Sequence, residues 1–124
     1  MKKISIVTAC YNEEETVIEL INRVRKVMKL HSSRYDYEHI FIDNASEDKT
    51  VDLLKAEANS DAKIKIIVNS RNFGHIRSPT YALLQAEGDA VISLVADLQD
   101  PPEMITDFLE KWEDGNDIVM AVKI

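Results

Sequence analysis

Strand-like and helix-like patterns alternate along this chain from end to end, and that alternation leaves few folds open. "ISIVTA" (4–9) is apolar and β-branched. It is followed by "EEETVIELINRVRKVMKL", which sets Val17, Leu20, Ile21, Val24, Val27 and Met28 at spacings of three and four, one face of a helix. "HIFID" (39–43) reads as a second strand, and the next helix, near 47–58, turns Val51, Leu54 and Ala58 inward. "KIKIIV" (63–68) is the third strand, with a helix near 75–87 after it. Pro79 fits only the first turn of that helix, so its start is placed late. The run at 90–96, a helix near 102–114 and "DIVMAV" (117–122) complete the series. Strands joined by helices imply right-handed crossovers and a mostly parallel sheet with helices on both faces. The expected fold is therefore doubly wound α/β. The unbroken apolar runs at 64–68 and 90–96 are expected to be central strands, buried on both sides.

At 124 residues the chain is one domain at most, large enough to bury a core. It is 45% hydrophobic and 30% charged, an ordinary globular balance. No run approaches a membrane span, and Met1-Lys2-Lys3 leads straight into strand rather than into a signal peptide. The lone Cys10 cannot close an internal disulfide, so a cytoplasmic setting is expected. Cys10 precedes an aromatic residue but has no histidine near it in sequence, and a packed strand-end thiol explains it better than a nucleophile. The net charge of -7, without a dense basic cluster, excludes nucleic acid as the main partner. A diphosphate ligand would need a cation to offset that charge, and a divalent metal is the natural one.

Ligands of doubly wound sheets sit beyond the carboxyl ends of the strands. Those ends read "CYNEEE", "DNASED", "NSRNFGH" and "DLQDPPE". Singly, each has a structural explanation. Asn12 with Glu15 makes a capping box, and Asn44 or Ser46 can cap the second helix, with Glu47 and Asp48 favoured by its dipole. Asp100, Pro101 and Glu103 read as helix initiation. Asp97 and Gln99 are left over. Two apart in an extended chain, they aim the same way and offer hard oxygen ligands suited to Mg²⁺ or Mn²⁺.

Taken together, these segments resemble the family 2 glycosyltransferases of the GT-A fold, in the polyprenyl-phosphate (dolichol-phosphate mannosyltransferase-like) branch. "ACYNE" is similar to that family's P-x-Y-N-E, and "IDNASEDKT" to its V-D-D-x-S-x-D-x-T. "SRNFGH" is similar to its R-N-x-G turn, "VADLQDPPE" to its D-x-D-L-Q-x-P-P-E, and "DIVMAVK" to its D-I-V-x-G-x-R. The likeness spans essentially the whole chain.

The resemblance implies an inverting transfer of a sugar from a nucleotide-diphosphate donor, with a polyprenyl phosphate among the acceptors. It implies that Tyr11 and Glu13, with Ile42, Asp43 and Asn44, line the base and ribose. Ala9 stands at the family's proline, and Lys123 at its phosphate-contacting arginine. The sugar would lie over Ala96 and Asp97, and Asp97 and Gln99 would hold the divalent metal. A metal stabilises the departing diphosphate, and a lipid phosphate, largely a dianion at pH 7, needs little help from a base.

Four positions depart from the pattern. Ala9 replaces the proline, Asn44 the second acid of D-D, Val95 the first acid of D-x-D, and Lys123 the arginine. Lysine keeps the charge but not the planar two-point grip. The chain is expected to be the nucleotide-sugar-binding half, 1–124, ending before the acceptor region. A full-length form would work at the inner face of the membrane. A half-domain also exposes apolar surface, which leaves self-association open. The competing reading is a module that binds the nucleotide or its sugar without turnover. A receiver-type signalling domain fails on position, because the first strand ends in Cys10-Tyr11-Asn12 and the third in Asn69-Ser70. A dinucleotide site fails because glycines 74, 88 and 115 form no G-x-G-x-x-G turn.

Overall fold

The computed structural model describes residues 1–71, 85–99 and 101–115. Four parallel strands, β1 (Lys2–Cys10), β2 (Tyr35–Asp43), β3 (Ile64–Val68) and β4 (Ala90–Ser93), form a sheet in the order β3-β2-β1-β4. The helices are α1 (Val17–Leu30), α2 (Thr50–Ser60) and α3 (Ile105–Glu113), the last preceded by a 3₁₀ turn, Pro102–Met104. The doubly wound α/β expectation is met. The helix expected near 75–87 lies largely outside the described residues, as do the strand expected at 117–122, Asp100 and Lys123.

Strand alternation divides the core into two layers. Ile4, Ile6 and Cys10 of β1, Phe41 of β2, Ile64 of β3 and Ile92 of β4 pack with the apolar stripe of α1, with Leu54 of α2 and with Ile105 and Leu109 of α3. All six α1 positions chosen by periodicity are buried. Val7, Ile40 and Ile42 face the other side with Ala9, Ile67 and Ala86.

Two strand expectations need correction. Strands β3 and β4 are the outer strands of the described sheet and are only partly buried, with Ile64 and Ile92 their buried residues; β1 and β2 occupy its centre. An apolar run encodes strand propensity, but burial on both faces depends on neighbours a sequence does not name. Strand β2 also begins at Tyr35, four residues before the apolar run, because its register with β1 continues from Lys2↔Tyr35 to Cys10↔Asp43.

The chain passes from β1 to β2 and β3 on one side and returns to β4 on the other. The topological switch point therefore lies between β1 and β4, and the crevice outside their carboxyl ends is where such sheets take ligands.

Candidate nucleotide site at the carboxyl ends of the strands

Three loops meet at this rim, and each contains a non-glycine residue in the left-handed region: Asn12 (φ 52°), Ala45 (φ 61°) and Leu98 (φ 64°). Such conformations persist only where surrounding structure enforces them, and they gather at functional sites.

The loops after β1 and β2 are joined by reciprocal hydrogen bonds. The Asn12 N–H donates to Ser46 Oγ at 2.9 Å, and Asn12 Oδ1 accepts from the N–H groups of Glu47 (2.8 Å) and Asp48 (3.4 Å). Glu13 N–H donates to Thr50 Oγ1 at 2.9 Å and Glu14 N–H to Asp48 Oδ2 at 3.2 Å, while Lys49 N–H returns a bond to Glu14 Oε2 at 3.1 Å. Asn12 is thus not the cap of α1. The helix starts at Val17, and its preceding residue, Thr16, sends its hydroxyl to the Ala96 carbonyl at 2.8 Å, tying the β1 loop to the end of β4. At α2, Thr50 N–H is satisfied by Asp48 Oδ1 at 2.9 Å rather than by Asn44 or Ser46. The Glu103 carboxylate forks onto Arg23 of α1, while Asp100, its partner in the expected helix start, lies outside the described residues.

Asp43 is fully buried, and both of its oxygens are engaged by Ser46, Oδ2 by the N–H at 2.9 Å and Oδ1 by the hydroxyl at 2.5 Å. Ile42 is also fully buried, its side chain in the second core layer. These two residues underlie the rim, with the Asp43 carboxylate anchoring the loop that begins at Asn44. Asn44 is nearly buried and accepts from Asn69 Nδ2 at 2.9 Å, and its N–H donates to the Cys10 carbonyl at 2.9 Å. Tyr11 stands 45% exposed above them, with Ala9 half-buried below. Burial, with Asp43, Glu13 and Asp48 adding negative charge, pushes the Cys10 thiol far up, so it is a packed and inert strand end.

On the β4 side, Ala96 is buried and Asp97 and Gln99 are exposed. The chain here is not extended. Asp97 Oδ1 accepts the Gln99 N–H at 3.1 Å across left-handed Leu98, an Asx turn in place of strand alternation. Glu13, half-buried, faces this turn. Burial holds its acid above the ordinary value, the Thr16 hydroxyl opposes this, and Asp97 and Asp48 add to the rise. Among the described residues no group of three or more His, Cys, Asp and Glu side chains could hold a metal ion. Hard divalent ions such as Mg²⁺ can take only one or two protein oxygens and complete their shell with phosphate and water.

Sequence reasoning missed Thr16 as the link to β4 and the work of Asp48 and Thr50. Their signal is the alternation Ser46, Asp48, Thr50, side chains that bond neighbouring backbone groups readily.

A parallel α/β sheet with cross-linked loops at its switch point defines the doubly wound class. The chain belongs to glycosyl transferase family 2, whose profile matches residues 5–124. It is 40% identical over 119 residues to the prophage bactoprenol glucosyl transferase homolog of Escherichia coli (strain K12), covering 96% of this chain and 38% of that protein. It is 40% identical over 124 residues to the undecaprenyl-phosphate 4-deoxy-4-formamido-L-arabinose transferase of Yersinia pestis (strain Pestoides F), covering 99% of this chain and 37% of that protein. The chain therefore spans a little over a third of the length of the curated relatives it matches. Among solved structures, the mannosyltransferase PcManGT from Pyrobaculum calidifontis, in complex with GDP-Man and Mn²⁺, superposes with a TM-score of 0.74 at 19% identity, over 90% of this chain and 32% of that one. S. aureus TarS 1–349 in complex with UDP superposes at 0.70 with 24% identity, over 90% and 32%. These two likenesses are of fold. No helix among the described residues is long and apolar enough to cross a membrane.

Proposed function

We propose that residues 1–124 form the donor half of an inverting glycosyltransferase that takes a sugar from a nucleoside diphosphate and passes it to a polyprenyl phosphate at the membrane surface. The observation that carries this reading is the convergence, at the switch point, of the clasped β1 and β2 loops with the exposed Asp97 turn of β4. Tyr11 and Asn44 would face the base, and Glu13 the ribose. Asp97 and Gln99 would hold a divalent ion, which neutralises the diphosphate and stabilises it as it leaves. Lys123 would add a cation to the same phosphates. The two relatives named for bactoprenol and undecaprenyl phosphate support the acceptor class.

The thin protein donor set has a consequence. Metal and nucleotide should bind together, neither holding well alone. Thermal shift with UDP and GDP, their sugars, and Mn²⁺, Mg²⁺ or EDTA tests this. A nucleotide at a hundred times its dissociation constant stabilises by about 2.7 kcal/mol. The expected result is a shift with one nucleotide plus metal, little with metal alone, and loss of the metal-dependent part in Asp97→Ala. No shift with any nucleotide would end the proposal.

Val95 favours a second reading. It stands 45% exposed where the family has an acid, so the site carries one carboxylate fewer. Under that reading the nucleotide binds without turnover. Donor hydrolysis or transfer by the full-length protein separates the two.

A further inference from the structure

We infer that Asn12 is a positioning residue for the nucleotide, acting through Tyr11. The inference rests on the nucleotide-binding reading above and concerns how that site is held.

Tyr11 lies between two anchored neighbours. Behind it, the Cys10 carbonyl accepts the Asn44 N–H at 2.9 Å. Ahead of it, Asn12 is fixed at both its polar ends: its N–H on Ser46 Oγ, and its Oδ1 under the N–H groups of Glu47 and Asp48. Ser46 in turn is locked to both oxygens of buried Asp43. A continuous chain of hydrogen bonds therefore runs from the buried carboxyl end of β2 to the residue that follows Tyr11. Left-handed backbone at Asn12 is what sends the chain from β1 across to the β2 loop, and asparagine is among the few residues that adopt it with little strain. The Tyr11 ring stays nearly half exposed on this fixed backbone. An aromatic side chain carried on a fixed backbone at the mouth of a crevice is suited to stack on a nucleobase, since every base has a π-face. Fixing the backbone that carries the ring before the ligand arrives removes part of the ordering cost of binding.

Asn12 thereby differs from a residue that merely stabilises the loop. Its effect should fall on the base half of the ligand and vanish when the ring it positions is removed. Asn12→Gly keeps the left-handed backbone and deletes the acceptor; Asn12→Asp keeps both. Calorimetric titration with UMP, UDP, GMP and GDP, each with Mn²⁺ or EDTA, reads the effect. For the nucleotides that the wild-type chain binds, Asn12→Gly should weaken monophosphate and diphosphate equally, about tenfold, with or without metal. Asn12→Asp should recover to within about threefold. In a Tyr11→Ala background, Asn12→Gly should add almost nothing, because coupled residues are not additive.

Unchanged affinity in Asn12→Gly would overturn the inference alone, even if its melting temperature falls. So would a loss confined to the metal-dependent diphosphate, or an undiminished loss in the Tyr11→Ala background. A wild-type chain that binds none of the four nucleotides would overturn both this inference and the reading it rests on.

Discussion

Two polar regions of this molecule use similar residues to opposite ends. Midway along the sheet, Glu38 of β2 is 1% exposed and completely paired. Its Oε2 accepts from the Ser5 hydroxyl and the Glu87 N–H, and its Oε1 faces Lys65 Nζ at 2.6 Å and Lys3 Nζ at 3.7 Å. Gly88 N–H donates to Ser5 Oγ and Asp89 N–H to the Lys3 carbonyl, which seats the segment entering β4 on β1. At the rim, Asp97 is exposed and its Oδ1 takes a backbone N–H within its own turn. A carboxylate that is buried and surrounded by fixed partners holds the fold. One that is exposed on a strained turn at a crevice keeps capacity for a ligand. Pairing and burial, not residue type, set the two carboxylates apart.

The sharpest way to break the comparison is to wedge the Glu38 region apart. A Cβ at Gly88 would lie 2.6 Å from Ser5 Oγ, 2.7 Å from Ser5 N and 2.8 Å from the Lys3 carbonyl oxygen, two of them backbone atoms that cannot swing away. Gly88→Ala should cost about 3 kcal/mol, which chemical denaturation would measure.

Acid should act on the same interior. Burial, with Arg25 adding and Asp61 opposing, pushes His39 down to about 3, and it sits neutral beside the Thr8 hydroxyl. Burial works against the Glu38 charge, yet Lys65, Ser5 and the Glu87 N–H hold its pKa at about 2. Both folded values lie below the unfolded ones, so in each window the unfolded chain binds more protons and stability falls with pH. For His39 the stability is whole above about pH 6.5 and declines as pH drops toward 3, by about 1.4 kcal/mol per pH unit. Glu38 adds its loss only below about pH 4.5. Urea titrations from pH 7 to 4 should therefore show a decline that steepens near 4.5, and His39→Gln should flatten the upper part alone. A flat profile between pH 6.5 and 4.5 would show that His39 is not buried neutral.

How legible the molecule was in its sequence follows the same division. The stripe of α1 was readable because six apolar positions at helical spacing fit only one face. The strands and their carboxyl-end clusters were readable for a similar reason. What escaped reading was pairing. Asn12 looked like a cap for its own helix and instead clasps the neighbouring loop, a contact 35 residues away in sequence. The Asp43 carboxylate also anchors Ser46, a bond that the motif alone does not name. Asp97 and Gln99 looked extended and form a turn. Side chains of Asn, Asp and Ser bond local backbone, distant backbone or ligand with equal ease, so composition at a loop does not say which.

Smaller effects test the rim. Asp97→Asn should leave stability within about 0.5 kcal/mol of wild type, as surface changes do, while reducing metal-dependent nucleotide affinity about tenfold, or roughly 1.4 kcal/mol. Calorimetry with Mn²⁺ and with EDTA reads both. A large drop in melting temperature without ligand would move Asp97 from the rim's class into that of Glu38.

Val95→Asp carries the smallest effect and sharpens the contrast most. The side chain is half exposed, so a carboxylate there meets water and costs little. It would stand two residues before Asp97 and bring a second acid to the turn. Two acids close together repel a bare diphosphate but share a divalent ion well. The substitution should therefore act with opposite signs, tightening nucleotide binding about threefold with Mn²⁺ and weakening it with EDTA. A rim built for a metal gives that sign reversal. Weakening in both conditions would mean that added charge near Asp97 only repels the phosphates, and that the metal, if bound, is held elsewhere.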